Sequence, residues 1–204
     1  MSRVWVYGCS FTQFGSSITH KVDWDIENSF PDLISKELGV EVFNRGFAGA
    51  SNFEIIRNFL DDYDQIQPDD TVIIHWTHVD RKWTSKRTYL VGDVDHKDKE
   101  TRDLTRLYFG EFYEDSEVLL NLFTYHQTVK SLFKGKYLFG FADWTSVLKG
   151  KYYDIMSQED GYVSEEGDSM IGYCRSFGPQ MTFKCLHPNH KGHEYLSKKF
   201  LDKM

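Results

Sequence analysis

The stretch Arg3-Val4-Trp5-Val6-Tyr7-Gly8-Cys9-Ser10-Phe11-Thr12 decides how the rest of the chain is read. Its first half mixes β-branched and aromatic residues, the pattern of a strand. At Gly8 the pattern breaks into small and hydroxyl-bearing residues. A strand that stops in a Gly-x-Ser turn presents the serine hydroxyl at the carboxyl edge of a sheet, where open α/β sheets bind ligands. Ser10 is therefore the candidate nucleophile. Such a serine needs a base, donors for an oxyanion, and a scaffold that gathers them.

Further along, Ser29-Phe30-Pro31-Asp32 opens a short helix that Gly39 stops, and Val40 to Phe43 reads as a second strand. Ser51 with Glu54 makes a capping box ahead of Ile55, Ile56, Phe59 and Leu60, which share one helical face. Thr71 to Trp76 is a continuous apolar run, as expected of a buried central strand. A helix over Glu117 to Phe133, a strand over Tyr137 to Phe141 and a closing helix over Gly192 to Met204 follow. Between them, Gln13 to Asn28 reads as a polar loop, Arg81 to about Asp115 as an insertion over the sheet, and Lys149 to Gln180 as loop-rich. Strands alternating with helices imply parallel βαβ units in one three-layer α/β/α domain with a mostly parallel sheet, in strand order 2-1-3-4. That order puts the Ser10 turn beside the switch point.

The 204 residues, 40% hydrophobic and 16% aromatic, suffice for a single core, and a net charge of -7 weighs against nucleic acid or an anionic membrane as partner. No apolar run approaches the roughly 20 residues of a membrane span, and no leader-like segment precedes the first strand. Cys9, Cys174 and Cys185 are scattered without a CxxC, which suits a reducing cytoplasm. The first turn lacks G-x-G-x-x-G, so no dinucleotide cofactor is expected.

The densest group among the eight histidines is Leu186-His187-Pro188-Asn189-His190-Lys191-Gly192-His193. Taken alone it is a helix-capping loop, with His190 and His193 as cap and packing residues; a metal reading of His187, His190 and His193 meets Pro188 and Gly192, which disrupt regular spacing. Taken together with the other segments it resembles the SGNH, or GDSL-like, hydrolase family, in a divergent Gly-Cys-Ser-Phe-Thr branch of phage and bacterial type. Gly8 to Thr12 matches the first block, Asn44 to Gly49 with Ala50-Ser51-Asn52 the second, Val72 to Arg81 the third, and His187-Pro188-Asn189 with Gly192-His193 the fifth.

The resemblance implies a flavodoxin-like sandwich. It also implies Ser10 as nucleophile, His187 as base, and the backbone N–H groups of Ser10 and Gly49 in the oxyanion hole. Its substrate would be a small-molecule or carbohydrate ester, with no cofactor and no metal. Three departures stand out. Cys9 replaces the usual aspartate of the first block, either as a packed thiol or as a reactive one. The third block has no asparagine; Thr77, His78 or Arg81 is the candidate donor in its place, His78 favoured by position, and the alternative is that Arg81 and Asp80 form a surface or loop-anchoring pair. Lys184 replaces the aspartate three residues before the histidine, leaving a Ser10–His187 dyad. The aromatic residues Trp83, Tyr89, Tyr108, Phe109, Phe112 and Tyr113 would form a pocket wall or a plug under the insertion. The competing expectation is a binding protein on the same scaffold that has lost its chemistry.

Overall fold

A computed structural model of the protein describes residues 2–12, 29–83, 88–89, 97–142, 148, 150–164, 169–182 and 187–204. The 13–28 loop, Lys184, Cys185 and the side chains of Trp83 and Tyr89, all singled out in the sequence, lie outside that description. Four strands, β1 (Val4–Tyr7), β2 (Val42–Asn44), β3 (Thr71–Trp76) and β6 (Lys136–Phe141), form a parallel sheet in the order β2-β1-β3-β6. This is the expected 2-1-3-4 order. Two short strands, β4 (Lys82–Trp83) and β5 (Thr88–Tyr89), pair antiparallel apart from it.

Every residue of β1 and β3 is buried, as a parallel sheet covered on both faces requires. The register aligns Tyr7, Ile74 and Phe139 on one face. There Tyr7 donates to Asp62 of α2 (Asn52–Asp62), and the ring of Phe139 lies 4.3 Å from that of His126 in α4 (Asp115–Leu132). On the other face His75, opposite Gly140, meets Phe30 of α1 (Phe30–Leu38) edge-on. Gly140 lies against Met170 of α6 (Met170–Ser176), and Phe30 stacks on Phe200 of α7 (His190–Leu201). Helices thus cover both sides of the sheet, giving the α/β/α sandwich. Each large aliphatic side chain buried there contributes about 1.5–3 kcal/mol.

The capping box at Ser51 is present: the Ser51 hydroxyl accepts from the Glu54 N–H, and Glu54 accepts from the Ser51 N–H at 2.9 Å. The second strand begins two residues later than its apolar pattern suggested, at Val42. Larger corrections fall where no pattern was visible. The insertion contains α3 (Lys99–Leu107), which runs into a five-residue π-helical turn, Tyr108–Phe112. The loop-rich reading of 149–180 gives way to α5 (Lys151–Ser157) and α6, with residues 161–163 bonding alongside Phe139 of β6. No helix among the described residues is long and apolar enough to cross a membrane.

Candidate active site

β1 ends at Tyr7, and Cys9 to Thr12 fold into a turn closed by the Thr12 N–H on the Cys9 carbonyl at 2.9 Å. Only glycine fits before it: a Cβ on Gly8 would stand 1.9 Å from the Thr12 hydroxyl oxygen. The turn leaves Ser10 half-buried, while Cys9 and Phe11 point into the core. Cys9 is fully buried, the setting of a packed thiol, and burial pushes the Cys174 thiol up to about 12.

His187 reaches the same edge from 177 positions away, and its Nε2 lies 2.8 Å from Ser10 Oγ. The segment around it is held down on both sides. Pro188 bridges Thr182, the Asn189 N–H donates to the Met181 carbonyl at 2.9 Å, and the Asn189 side chain caps α7 by accepting from the Gly192 N–H. One turn into α7, the buried His193 accepts the Phe30 N–H at Nδ1 (3.1 Å). That bond satisfies a free donor at the start of α1 and removes Nδ1 as a metal ligand. Among the described residues no three His, Cys, Asp or Glu side chains gather as a metal site.

Phe11 is the hub of the site. Its ring centroid lies 4.8 Å from His187, 5.6 Å from His78 and 6.4 Å from His75, and the Arg175 guanidinium sits 5.3 Å from it. His78 therefore shares a neighbour with the Ser10–His187 pair. Burial holds His75 down to about 4, partly offset by the Phe141 backbone and reinforced by His78. Burial also holds His193 down to about 3, with His190, His75 and His187 adding to it. Both stay neutral at ordinary pH.

The second loop runs beside the Ser10 turn. Arg45 N–H donates to the Val6 carbonyl (2.7 Å) and Phe47 N–H to the Gly8 carbonyl (3.2 Å). The Arg45 guanidinium grips Asp62 with two bonds, at 2.7 and 2.8 Å. Two residues beyond Phe47, Gly49 takes φ +80°, a left-handed conformation that favours glycine. The third loop is tied to the second. Asn52 accepts from the Thr77 N–H (2.8 Å) and donates to the Thr77 carbonyl (3.1 Å), while Arg81 Nη1 donates to the Ala50 carbonyl (3.0 Å). Thr77 itself is 1% exposed, with its hydroxyl inside the fold. Asn52 was visible in the sequence only as the end of the second block, because its role is a bond to a backbone 25 positions away. Arg175 went unnoticed because α6 was not read as a helix.

No family profile matches the chain, and no curated protein matches it in sequence. Solved structures do. A member of the lipolytic protein G-D-S-L family from Veillonella parvula superposes at TM-score 0.58 with 14% identity, over 99% of this chain and 97% of its own. The psychrotrophic esterase EstA of Pseudoalteromonas sp. gives 0.60 with 9% identity, over 100% and 96%. An acetylxylan esterase from Geobacillus stearothermophilus, in one of its catalytic mutants, gives 0.58 with 16% identity, over 99% and 93%. The fold is thus that of the GDSL, or SGNH, lipolytic proteins. This chain carries it nearly end to end, with the Ser10–His187 pair at its carboxyl edge.

Proposed function

We propose that this chain is a serine acylhydrolase, cleaving a short acyl ester or an O-acetyl carbohydrate through an acyl-enzyme on Ser10. The observation that carries the reading is the 2.8 Å approach of His187 Nε2 to Ser10 Oγ at the ligand-binding edge of the sheet. Neutral His187 with its proton on Nδ1 leaves Nε2 free to accept the Ser10 proton as Oγ attacks the ester carbonyl carbon. The resulting oxyanion is held by the backbone N–H groups of Ser10 and Gly49 and by the His78 ring. Thr77 and Arg81 support the loops that position them. Collapse breaks the carbonyl–alkoxide bond, and His187 passes its proton to the departing alcohol. Water then repeats the sequence on the acyl-enzyme, releasing the acid and restoring Ser10.

The acetylxylan esterase has catalytic mutants at a serine, at an aspartate and at a histidine three positions beyond that aspartate. In this chain the position three before His187 is Lys184. The reading is accordingly a dyad, working in the cytoplasm without cofactor, nucleic acid or membrane partner. The orienting acid of a triad is worth about four orders of magnitude, so turnover slower than in a full triad is expected. A fluorophosphonate label followed by intact mass, with p-nitrophenyl acetate turnover alongside, tests this. Wild type gains one adduct and turns over ester; Ser10→Ala does neither. Equal behaviour of wild type, Ser10→Ala and His187→Ala would leave the scaffold as a binding protein.

A further inference from the structure

Asn52 mends a gap that the Ser10 turn opens in the sheet. In a parallel ladder every second residue of a strand bonds the same neighbour. β3 starts in this way, with the Thr71 N–H on the Arg3 carbonyl at 2.9 Å, and its pairing with β1 runs on to Tyr7 opposite Ile74. Steps of two from Thr71 reach Thr77, whose N–H would meet the Cys9 carbonyl if β1 continued. It does not continue. The Cys9 carbonyl accepts the Thr12 N–H instead, which closes the turn. The turn that presents Ser10 therefore takes away the strand partner of Thr77, a residue only 1% exposed. A buried peptide group needs another partner. On its other side β3 is served to its end, where the Ala142 N–H donates to the Trp76 carbonyl at 2.8 Å.

The Asn52 carboxamide takes the place of the missing strand. It offers an acceptor and a donor side by side, receiving the Thr77 N–H at 2.8 Å and donating to the Thr77 carbonyl at 3.1 Å. Asn52 is itself buried, and the Ser51–Glu54 capping box fixes the helix start that carries it. The residue after Thr77 is His78. Beyond it the Arg81 N–H donates to the His78 carbonyl at 3.3 Å, and Arg81 Nη1 bonds Ala50, the neighbour of Gly49. His78 is thus fastened on both sides to the segment that carries Gly49, and Asn52 is the fastening on the strand side.

We propose that Asn52 is a positioning residue for the oxyanion pocket: its carboxamide, standing in for the strand that the Ser10 turn interrupts, sets His78 against the Gly49 N–H. The role rests on the acylhydrolase reading, with His78 as a donor. Steady-state kinetics on p-nitrophenyl acetate test it in wild type, Asn52→Ala, His78→Ala and the double variant, each assayed below its melting temperature. Misplacing a group by about 1 Å can cost about a hundredfold. Asn52→Ala should therefore lower kcat by about tenfold to a hundredfold and leave KM within about twofold. In the His78→Ala background the same change should cost less than about threefold, because residues that act through one another do not add. Asn52→Gln keeps donor and acceptor but moves them out by one methylene, so it satisfies Thr77 while displacing it. It should keep the fold and still lower kcat about tenfold, and it carries the comparison if Asn52→Ala does not fold.

Effects that multiply in the double variant overturn the role and leave the hydrolase. So does a lower melting temperature with kcat unchanged, or a loss confined to KM. Absence of ester turnover in wild type overturns the hydrolase and the role together.

Discussion

The two ends of the sheet hold their polar groups in opposite ways. At the carboxyl end a hydroxyl and an imidazole, both half-buried, meet at 2.8 Å. At the amino end, just ahead of β3, the Asp70 side chain is 1% exposed and saturated with donors. It accepts from the Arg3 guanidinium at 2.7 Å, from the backbone N–H groups of Arg3 and Gln67, and from the Trp5 indole. Burial pushes the Asp70 pKa up, but these donors outweigh it and bring it down to about 2. A carboxylate so fully bonded can only hold the structure. A half-buried serine beside an imidazole is not so saturated.

The contrast breaks first at Ser10. Ser10→Ala should lower ester turnover roughly a thousandfold or more while calorimetry finds the same melting temperature. A matching loss of stability would mean that the carboxyl end is structural too. Asp70→Ala is the mirror experiment. Breaking a buried ion pair costs about 3 kcal/mol, or roughly 6–12 °C in a chain of this size, and kcat should hold in the protein that remains folded.

Acid sharpens the comparison by reaching other groups before Asp70. The buried His75 and His193 are joined by His126, whose burial outweighs its Glu159 partner and holds it down to about 4. In the unfolded chain these histidines take protons near 6.5; in the folded one only near 3 to 4. Below pH 6.5 the unfolded chain therefore binds more protons, and stability falls as pH falls toward 4. Each such histidine contributes about 1.4 kcal/mol per pH unit to that slope, and its contribution is complete above 6.5. Asp70 enters only below about pH 4, its stabilisation lost as pH drops toward 2. Urea midpoints at pH 7.5, 6.5 and 5.5 measure the slope, and His126→Leu should flatten it by one histidine's share. The smallest effect is expected at Cys9. Cys9→Ala should keep turnover within about twofold and cost about 1 kcal/mol; a stable but inactive variant would transfer the nucleophile to the thiol.

What the sequence disclosed follows from where the energy of each element resides. β1 and β3 are buried on both faces, so their apolar runs stand out by composition. α2 announces itself by a cap whose partners are three residues apart. The Ser10 turn and His187 were visible because each matches a short block, although their meeting depends on the whole topology. α3 was invisible because the residues it buries are Thr101 and Thr105, which leave no apolar stripe. α6 buries Met170, Ile171, Gly172 and Cys174 within seven residues, too few turns for a period to show. The walls of a cavity of about 290 Å³ between α2 and α4 were only partly legible: Tyr108 belonged to an evident aromatic cluster, but Glu117, Asn121 and Tyr125 look like the outer face of an ordinary helix.

The bond from the Phe30 N–H to His193 also bears on the order of events during synthesis. The serine is translated 177 residues before the imidazole that meets it. Until α7 docks on α1, Ser10 lacks its imidazole neighbour. The closure that seals the start of α1 also brings in the segment that carries His187, so in the proposed hydrolase the pair assembles only with that packing step.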